Sequence, residues 1–460
     1  MNNPAILQEL LPLRSYFQSG ATRSYEARKQ QLILLKQAIL RHENEIHQAL
    51  YTDLKKSPEE AYGTETGLVL AEINTTLKHL RKWMRPQRTP TNLVNLPSSS
   101  RIYRDPLGTV LIIAPWNYPF QLSLIPLAGA IAGGNCVVLK PSELAPATAA
   151  ILEKILTGIF PKEFVRVIPG DGATVVPDLI RSFRFDHIFF TGSIPVGRAI
   201  YQLAAQDLVP VTLELGGKSP VVVENDADIK TTARRIALGK FTNAGQTCIA
   251  PDYLLLHADI KEKLLRQLQD TLVDFYGEKA EESYDYGKII NEKRFDTLVS
   301  YLSQGKIITG GHYERSALFF SPTILEDVPL DRPLMTEEIF GPLLPVFTYR
   351  TMEEALSIVQ RNPNPLAFYL FTSDAGKQAA WIEKLPFGSG CINNTEWQFA
   401  NHHLPFGGIG GSGLGAYHGK YTFDTFTHAK PVMRTPTWID PSIKYPPFKG
   451  RLKWLKLFFR

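Results

Sequence analysis

A chain of 460 residues, 44% hydrophobic and 21% charged, has an ordinary globular composition and is too long for one core, so two or three domains are expected. Residues 441–460 hold six basic and no acidic side chains; removing that +6 from the net +5 leaves the first 440 residues at −1, which excludes a general nucleic-acid footprint. Three cysteines (Cys136, Cys248, Cys391) exclude a disulfide framework and point to reduced thiols in a cytoplasmic setting. Neither a secretory leader nor an apolar run of about 18 residues is seen.

Residues 1–85 read as helices, with Leu32, Leu35, Ile39, His42 and Ile46 on one 3.6-residue stripe. Pro86, Pro90 and Pro97, with Ser98 to Ser100, punctuate a non-helical segment. Strand and helix patterns then alternate. Strands are expected at 109–114, 136–139, 164–168, 187–190, 211–215 and 220–223, and helices at 121–131, 147–159 and 197–205. A second alternating region has helices at 231–241, 260–275 and 352–360, and strands at 253–256, 345–348 and 368–371. This pattern predicts α/β architecture with parallel, doubly wound sheets. After Thr422 the chain reads as Pro-rich and irregular until a basic tail.

Cys248, in Asn243-Ala-Gly-Gln-Thr-Cys248, has polar and flexible neighbours that argue against a core thiol. Cys136 sits in a strand run and reads as core, and Cys391 is ambiguous. A thiol together with Glu214 suggests covalent chemistry on a carbonyl, with the carboxylate later activating water. Asn117, in Pro115-Trp-Asn-Tyr-Pro119, either donates to an oxyanion or bonds its own backbone in a proline-bounded turn. Lys140 and Glu143 either hold a ribose diol or phosphate at a strand end, or are a solvated lysine and a helix cap in which Ser142 is the N-cap. The turn from Gly192 and Ser193 to Gly197 either receives phosphate or is structural. Glu338 alone reads as a surface acid. Ten histidines show no metal-ligand spacing, so no metal site is expected.

Together these stretches, with Phe190-Thr-Gly-Ser193, Leu213 to Pro220, Glu338 to Pro342 and Leu404 to Gly413, resemble the aldehyde dehydrogenase superfamily in order and spacing. The Tyr445-Pro-Pro447 element before a basic, apolar tail resembles its class 3 branch, which includes dimeric, membrane-associated fatty aldehyde dehydrogenases. The resemblance implies a Rossmann-like NAD(P)-binding domain (1–86 and 109–212) and a second α/β catalytic domain (213–422). It also implies bridging or oligomerisation segments (87–108 and 423–443) and the tail (444–460). It assigns Cys248 as nucleophile, Glu214 as general base and Asn117 as oxyanion donor. Trp116, Lys140, Glu143, Gly192, Ser193, Gly197, Glu338 and Phe340 fall at cofactor positions. Tyr118, Trp397, Phe399 and Phe406 either line an apolar substrate tunnel or are core.

The implied function is oxidation of medium- or long-chain apolar aldehydes by NAD or NADP, in a homodimer. NAD is favoured because Glu143 repels a 2′-phosphate. A catalytically silent relative and a coenzyme A-dependent, acylating enzyme are the alternatives. Ile194 and Pro195 depart from the family pattern and leave the mode of pyrophosphate binding open. The tail reads either as a basic amphipathic helix for a membrane surface or as a terminal helix packed on the body or a partner subunit.

Overall fold

The computed structural model describes residues 4–458. Helices Pro4–Gln18, Tyr25–Arg41, Glu43–Leu54 and Gly67–Met84 form an N-terminal layer. Leu32, Leu35, Ile39 and Ile46 of the expected stripe are fully buried, as an amphipathic face requires. The chain next forms an antiparallel pair, β1 (Gln87–Thr89) and β2 (Ser99–Pro106).

Five parallel strands follow: β3 (Thr109–Ile113), β4 (Cys136–Lys140), β5 (Val165–Val167), β6 (His187–Thr191) and β7 (Val211–Glu214). Their order is β5-β4-β3-β6-β7. Every residue of β3, β4 and β6 is buried, because helices cover both faces of such a sheet. Successive crossovers run from β3 toward β5, and then from β6 toward β7. The winding therefore reverses between β3 and β6. A crevice opens at the carboxyl ends of strands on either side of such a reversal, where ligands of open α/β sheets bind.

The second sheet holds β8 (Pro220–Val223), β9 (Tyr253–His257), β10 (Lys306–Thr309), β13 (Thr323–Glu326), β14 (Leu343–Tyr349), β15 (Ala367–Phe371) and β16 (Ser389–Ile392). Its order is β10-β13-β14-β9-β8-β15-β16, with only β10 antiparallel to its neighbour. A short hairpin, β11 (Tyr313–Glu314) and β12 (Phe319–Phe320), projects from it. The two-residue β17 (Gly413–Leu414) returns to pair antiparallel with β7.

The structure departs from several readings. Helix Gly172–Ser182 was not expected; its glycine start and internal Pro177 hide a short apolar face of Val176, Leu179 and Ile180. The helix expected at 197–205 begins at Ile194, because Pro195 suits a first turn, where its missing N–H costs nothing. The segment after Thr422 is not irregular. Helix Lys420–Thr425 leads into β18 (Thr427–Arg434), which pairs antiparallel with β2 from Thr427 opposite Pro106 to Arg434 opposite Ser99. All of β18 but Thr427 is exposed, so the strand shows no hydrophobic alternation and is held by backbone pairing.

The tail helix is shorter than expected. It runs over Leu452–Phe458 and follows Gly450, whose φ of +80° breaks the helix path. Leu452, Trp454 and Leu457 are exposed, so they do not pack over this chain's body. The readings made for Phe459, Arg460 and the Phe458 side chain lie outside the described residues. Among the described residues, no helix is long and apolar enough to cross a membrane.

Candidate active site

Helix Ile229–Phe241 delivers the chain to Cys248 through an uncommon turn. Asn243, Ala244 and Gly245 are all left-handed, with φ of 51°, 51° and 73°. Such conformations cost energy for non-glycine residues and persist where the surroundings hold them. Asn243 donates its N–H to Glu60 (3.0 Å) and its side-chain amide to the Asn117 carbonyl (2.9 Å). Gln246 donates to the Asn243 and Lys288 carbonyls (3.0 and 2.9 Å) and accepts from the Ile290 N–H (3.0 Å). A Cβ on Gly245 would meet the Gly341 carbonyl oxygen at 2.4 Å, so only glycine fits. The other thiols differ. Cys136 is fully buried in β4, and burial pushes it up to about 12. Cys391 donates to the Gln398 side chain (2.9 Å).

Cys248 opens onto a cavity of about 670 Å³ that Glu214, Tyr118, Trp397, Phe399 and Phe406 also line. These aromatics therefore face open space; Trp397, 61% exposed, stands at the rim. Glu214 ends β7 and is 2% exposed, and neither of its carboxylate oxygens has a hydrogen-bond partner among the described residues. Burial holds its carboxyl well above the usual range. Burial also raises the Cys248 thiol, and Glu338, Glu214 and Glu396 add to the effect. Asn117 is buried beside the Cys248 loop and donates its amide to the Gln246 carbonyl (3.0 Å). It is not bonded to its own backbone.

Sequence reasoning missed what holds Asn117. Lys56 and Glu65, both fully buried, form an ion pair (2.6 Å). Lys56 also donates to the Asn117 carbonyl (3.0 Å) and lies 3.9 Å from the Tyr118 ring centre. Glu65 accepts the N–H groups of Phe120 and Gln121 (2.9 and 3.0 Å). The pair clamps the turn that carries Trp116, Asn117 and Tyr118. Nine residues of separation, across a break between helical segments, gave no helical spacing to read. Breaking a buried pair from one side typically costs about 3–5 kcal/mol. Lys56→Met is expected to lower unfolding stability by that amount, measured by denaturant titration. A Lys56→Met/Glu65→Leu double variant should regain part of the loss.

Of the expected cofactor positions, Trp116, Lys140, Glu143, Gly192 and Ser193 lie at or just past the carboxyl ends of strands of the first sheet. Lys140 ends β4 and pairs with Glu143, whose carboxyl is thereby held below its usual range even though partial burial opposes this. Ser142 does not cap the following helix; Ala145 stands at that position. Gly192 and Ser193 follow β6, and Ser193 begins helix Ile194–Ala205 without a side-chain cap bond. A Cβ on Gly197 would strike the Leu215 side chain at 2.4 Å, so Gly197 serves helix-to-strand packing. Trp116 and Phe340 meet edge to face with ring centres 5.2 Å apart.

Glu338 is held by a loop that the buried Lys218–Asp252 pair fastens. Lys218 donates to the Leu334 and Glu337 carbonyls (both 2.9 Å), and Asp252 accepts the Ile339 N–H (3.1 Å). Glu338 packs against Gly216 so closely that a Cβ there would lie 1.9 Å from its carboxylate. Its Oε1 is buried without a partner among the described residues, and burial, with Asp252, pushes the carboxyl up to about 8. An unsatisfied buried acceptor at one end and a Lys–Glu pair at the other fit the two ribose diols of a dinucleotide.

The model of the aldehyde dehydrogenase family matches residues 14–432. The chain belongs to the aldehyde dehydrogenase family. It is 46% identical over 457 residues to 4,4'-diaponeurosporen-aldehyde dehydrogenase of Staphylococcus aureus, covering 99% of each chain. It is 41% identical over 441 residues to human aldehyde dehydrogenase family 3 member B1, covering 95% of this chain and 94% of the relative. A solved substrate-bound Staphylococcus aureus AldH superposes with a TM-score of 0.97 at 44% identity and full coverage of both chains. An indole-3-acetaldehyde dehydrogenase with NAD+ gives 0.85 at 27% identity over 94% and 89% of the two chains. Methanocaldococcus jannaschii GapN with NADP gives 0.85 at 26% over 95% of each. This aldehyde dehydrogenase thus has the family's mixed α/β fold and oxidises aldehydes with NAD(P).

Proposed function

We propose that this aldehyde dehydrogenase converts medium- and long-chain apolar aldehydes to free carboxylic acids. The observation that supports this most is one cavity shared by Cys248, Glu214 and an aromatic wall. Cys248 gives its proton to water, and its sulfur bonds the aldehyde carbon as the carbonyl π pair moves to oxygen, giving a thiohemiacetal. The oxygen that turns negative is met by the Asn117 amide, turned from the Gln246 carbonyl, and by the Cys248 N–H; one such donor is typically worth about 10²–10³ in rate. A bound nicotinamide supplies the hydride acceptor that turns this adduct into a thioester. Glu214 then takes a proton from water, whose oxygen bonds the acyl carbon as the carbon–sulfur bond breaks and the thiol is restored. Lys140, Glu143 and Glu338 would hold the ribose groups, with Trp116 and Phe340 beside the nicotinamide. The ionised Glu143 repels a 2′-phosphate, which favours NAD over NADP.

The homodimer and the membrane contact belong to the same proposal. β18 offers an exposed backbone edge of eight residues for pairing with another subunit. Exposed Leu452, Trp454 and Leu457, with Lys449, Lys453 and Lys456 around them, suit an acidic lipid surface. Removing residues 441–460 should abolish co-sedimentation with anionic liposomes; equal binding without them rejects the contact.

A panel of aldehydes of rising chain length, run with each cofactor and with product analysis, tests the activity. Rising kcat/KM with chain length and a free acid as product are expected. A preference for short aldehydes, or a product that requires coenzyme A, overturns the proposal.

The pH dependence has a definite sign. Burial raises the Cys248 thiol, with Glu338, Glu214 and Glu396 adding to it, so the thiolate fraction grows as pH rises. Alkylation of Cys248 by iodoacetamide should accelerate about tenfold per pH unit through the neutral range. A flat profile there would mean that the thiolate is already formed.

A further inference from the structure

The cavity that holds Cys248 is lined by six carboxyl groups and, among the described residues, by no lysine, arginine or histidine. Glu59, Asp274 and Asp285 are exposed at its mouth, Glu60 and Glu396 are half-buried on its wall, and Glu214 lies at its base. Cations approach from behind without entering. Lys56 is spent on Glu65 on the far side of the Tyr118 ring, and Lys240, fully buried, faces Glu396 from helix Ile229–Phe241.

Hydrogen bonding points the same way as charge. Both Glu214 oxygens and Glu396 Oε1 are buried without partners among the described residues, so the wall offers unsatisfied acceptors. An N–H donor satisfies an acceptor; the oxygens of an anion cannot. The unpaired Gln121 amide, also on the wall, is neutral and so does not offset this field.

We infer that the channel selects its substrates by charge, accepting neutral aldehydes and those with a distal ammonium, and rejecting aldehydes that carry a carboxylate or phosphate. The inference rests on the cavity being the substrate channel, as proposed above. Like charges facing one another across a channel walled by apolar side chains disfavour entry, and the walls screen them less than bulk water would. The same field expels the carboxylate product as soon as it forms. Burial raises the Glu60 and Glu396 carboxyls, the latter to about 8, and an incoming cation draws both toward their ionised forms, which sharpens the discrimination.

The test compares three aldehydes of matched length on the full-length enzyme, ending in a methyl, a protonated dimethylamino group or a carboxylate. At low ionic strength, kcat/KM for the carboxylate-ended aldehyde should be lower than for the other two by about tenfold or more, and the gap should narrow as salt rises. Asp274→Asn with Asp285→Asn, at the mouth, should narrow it further. Should that double variant not fold, the salt series on the native enzyme decides. A carboxylate-ended aldehyde turned over as efficiently as the methyl-ended one, or a gap that salt leaves unchanged, overturns the inference. A short-chain preference or a coenzyme A-dependent product would instead sink the proposed function and leave the charge ranking standing.

Discussion

Cys248→Ser is expected to bind nicotinamide nucleotides normally and to lose aldehyde oxidation by about 10³-fold or more. A hydroxyl in place of the thiol is a far weaker nucleophile at its own pKa and needs a base to activate it. Among the described residues no histidine lines the cavity to serve that purpose. The exchange barely changes volume, so the left-handed turn at 243–245 should be undisturbed. Steady-state absorbance of the reduced nucleotide reads the loss, and a fluorescence titration reads nucleotide binding. More than a tenth of native activity in the serine variant would remove Cys248 from the nucleophile's role.

Glu214→Gln should separate the two halves of the reaction. Glutamine keeps the side chain's size and cannot take a proton from water. Oxidation of the first aldehyde then proceeds, and the thioester on Cys248 waits. A burst of reduced nucleotide equal to the enzyme concentration is expected, followed by turnover slower by about 10²–10⁴. Mass spectrometry of the stalled protein should find the acyl group on Cys248. Linear product formation at the native rate from the first turnover would falsify this assignment.

The buried strands were plain in the sequence because parallel strands covered on both faces read as short unbroken apolar runs. β3, β4, β6, β8, β9 and β15 each lie within a residue or two of the expected limits. The candidate site was legible in part. The glycine and polar neighbours of Cys248 set it apart from a core thiol, whereas Glu338 alone read as a surface acid and was placed only by the family resemblance. Two features left no such trace. β18 is held by backbone hydrogen bonds to β2, and backbone pairing writes little into side chains. The acids at the cavity mouth come from helices and a loop scattered from Glu59 to Asp285, and each alone is a common surface residue.

The Lys56–Glu65 clamp also changes what the N-terminal layer is for. Residues 1–85 contain none of the catalytic motifs and could be mistaken for a detachable cap over the first sheet. Yet two of their buried charges, Lys56 and Glu65, fix the backbone on which Asn117 sits. A saturating mutational survey of that region should therefore find broad tolerance on its outward faces and little at these two buried positions. A fragment starting beyond Glu65 would keep every motif and still be a poor catalyst.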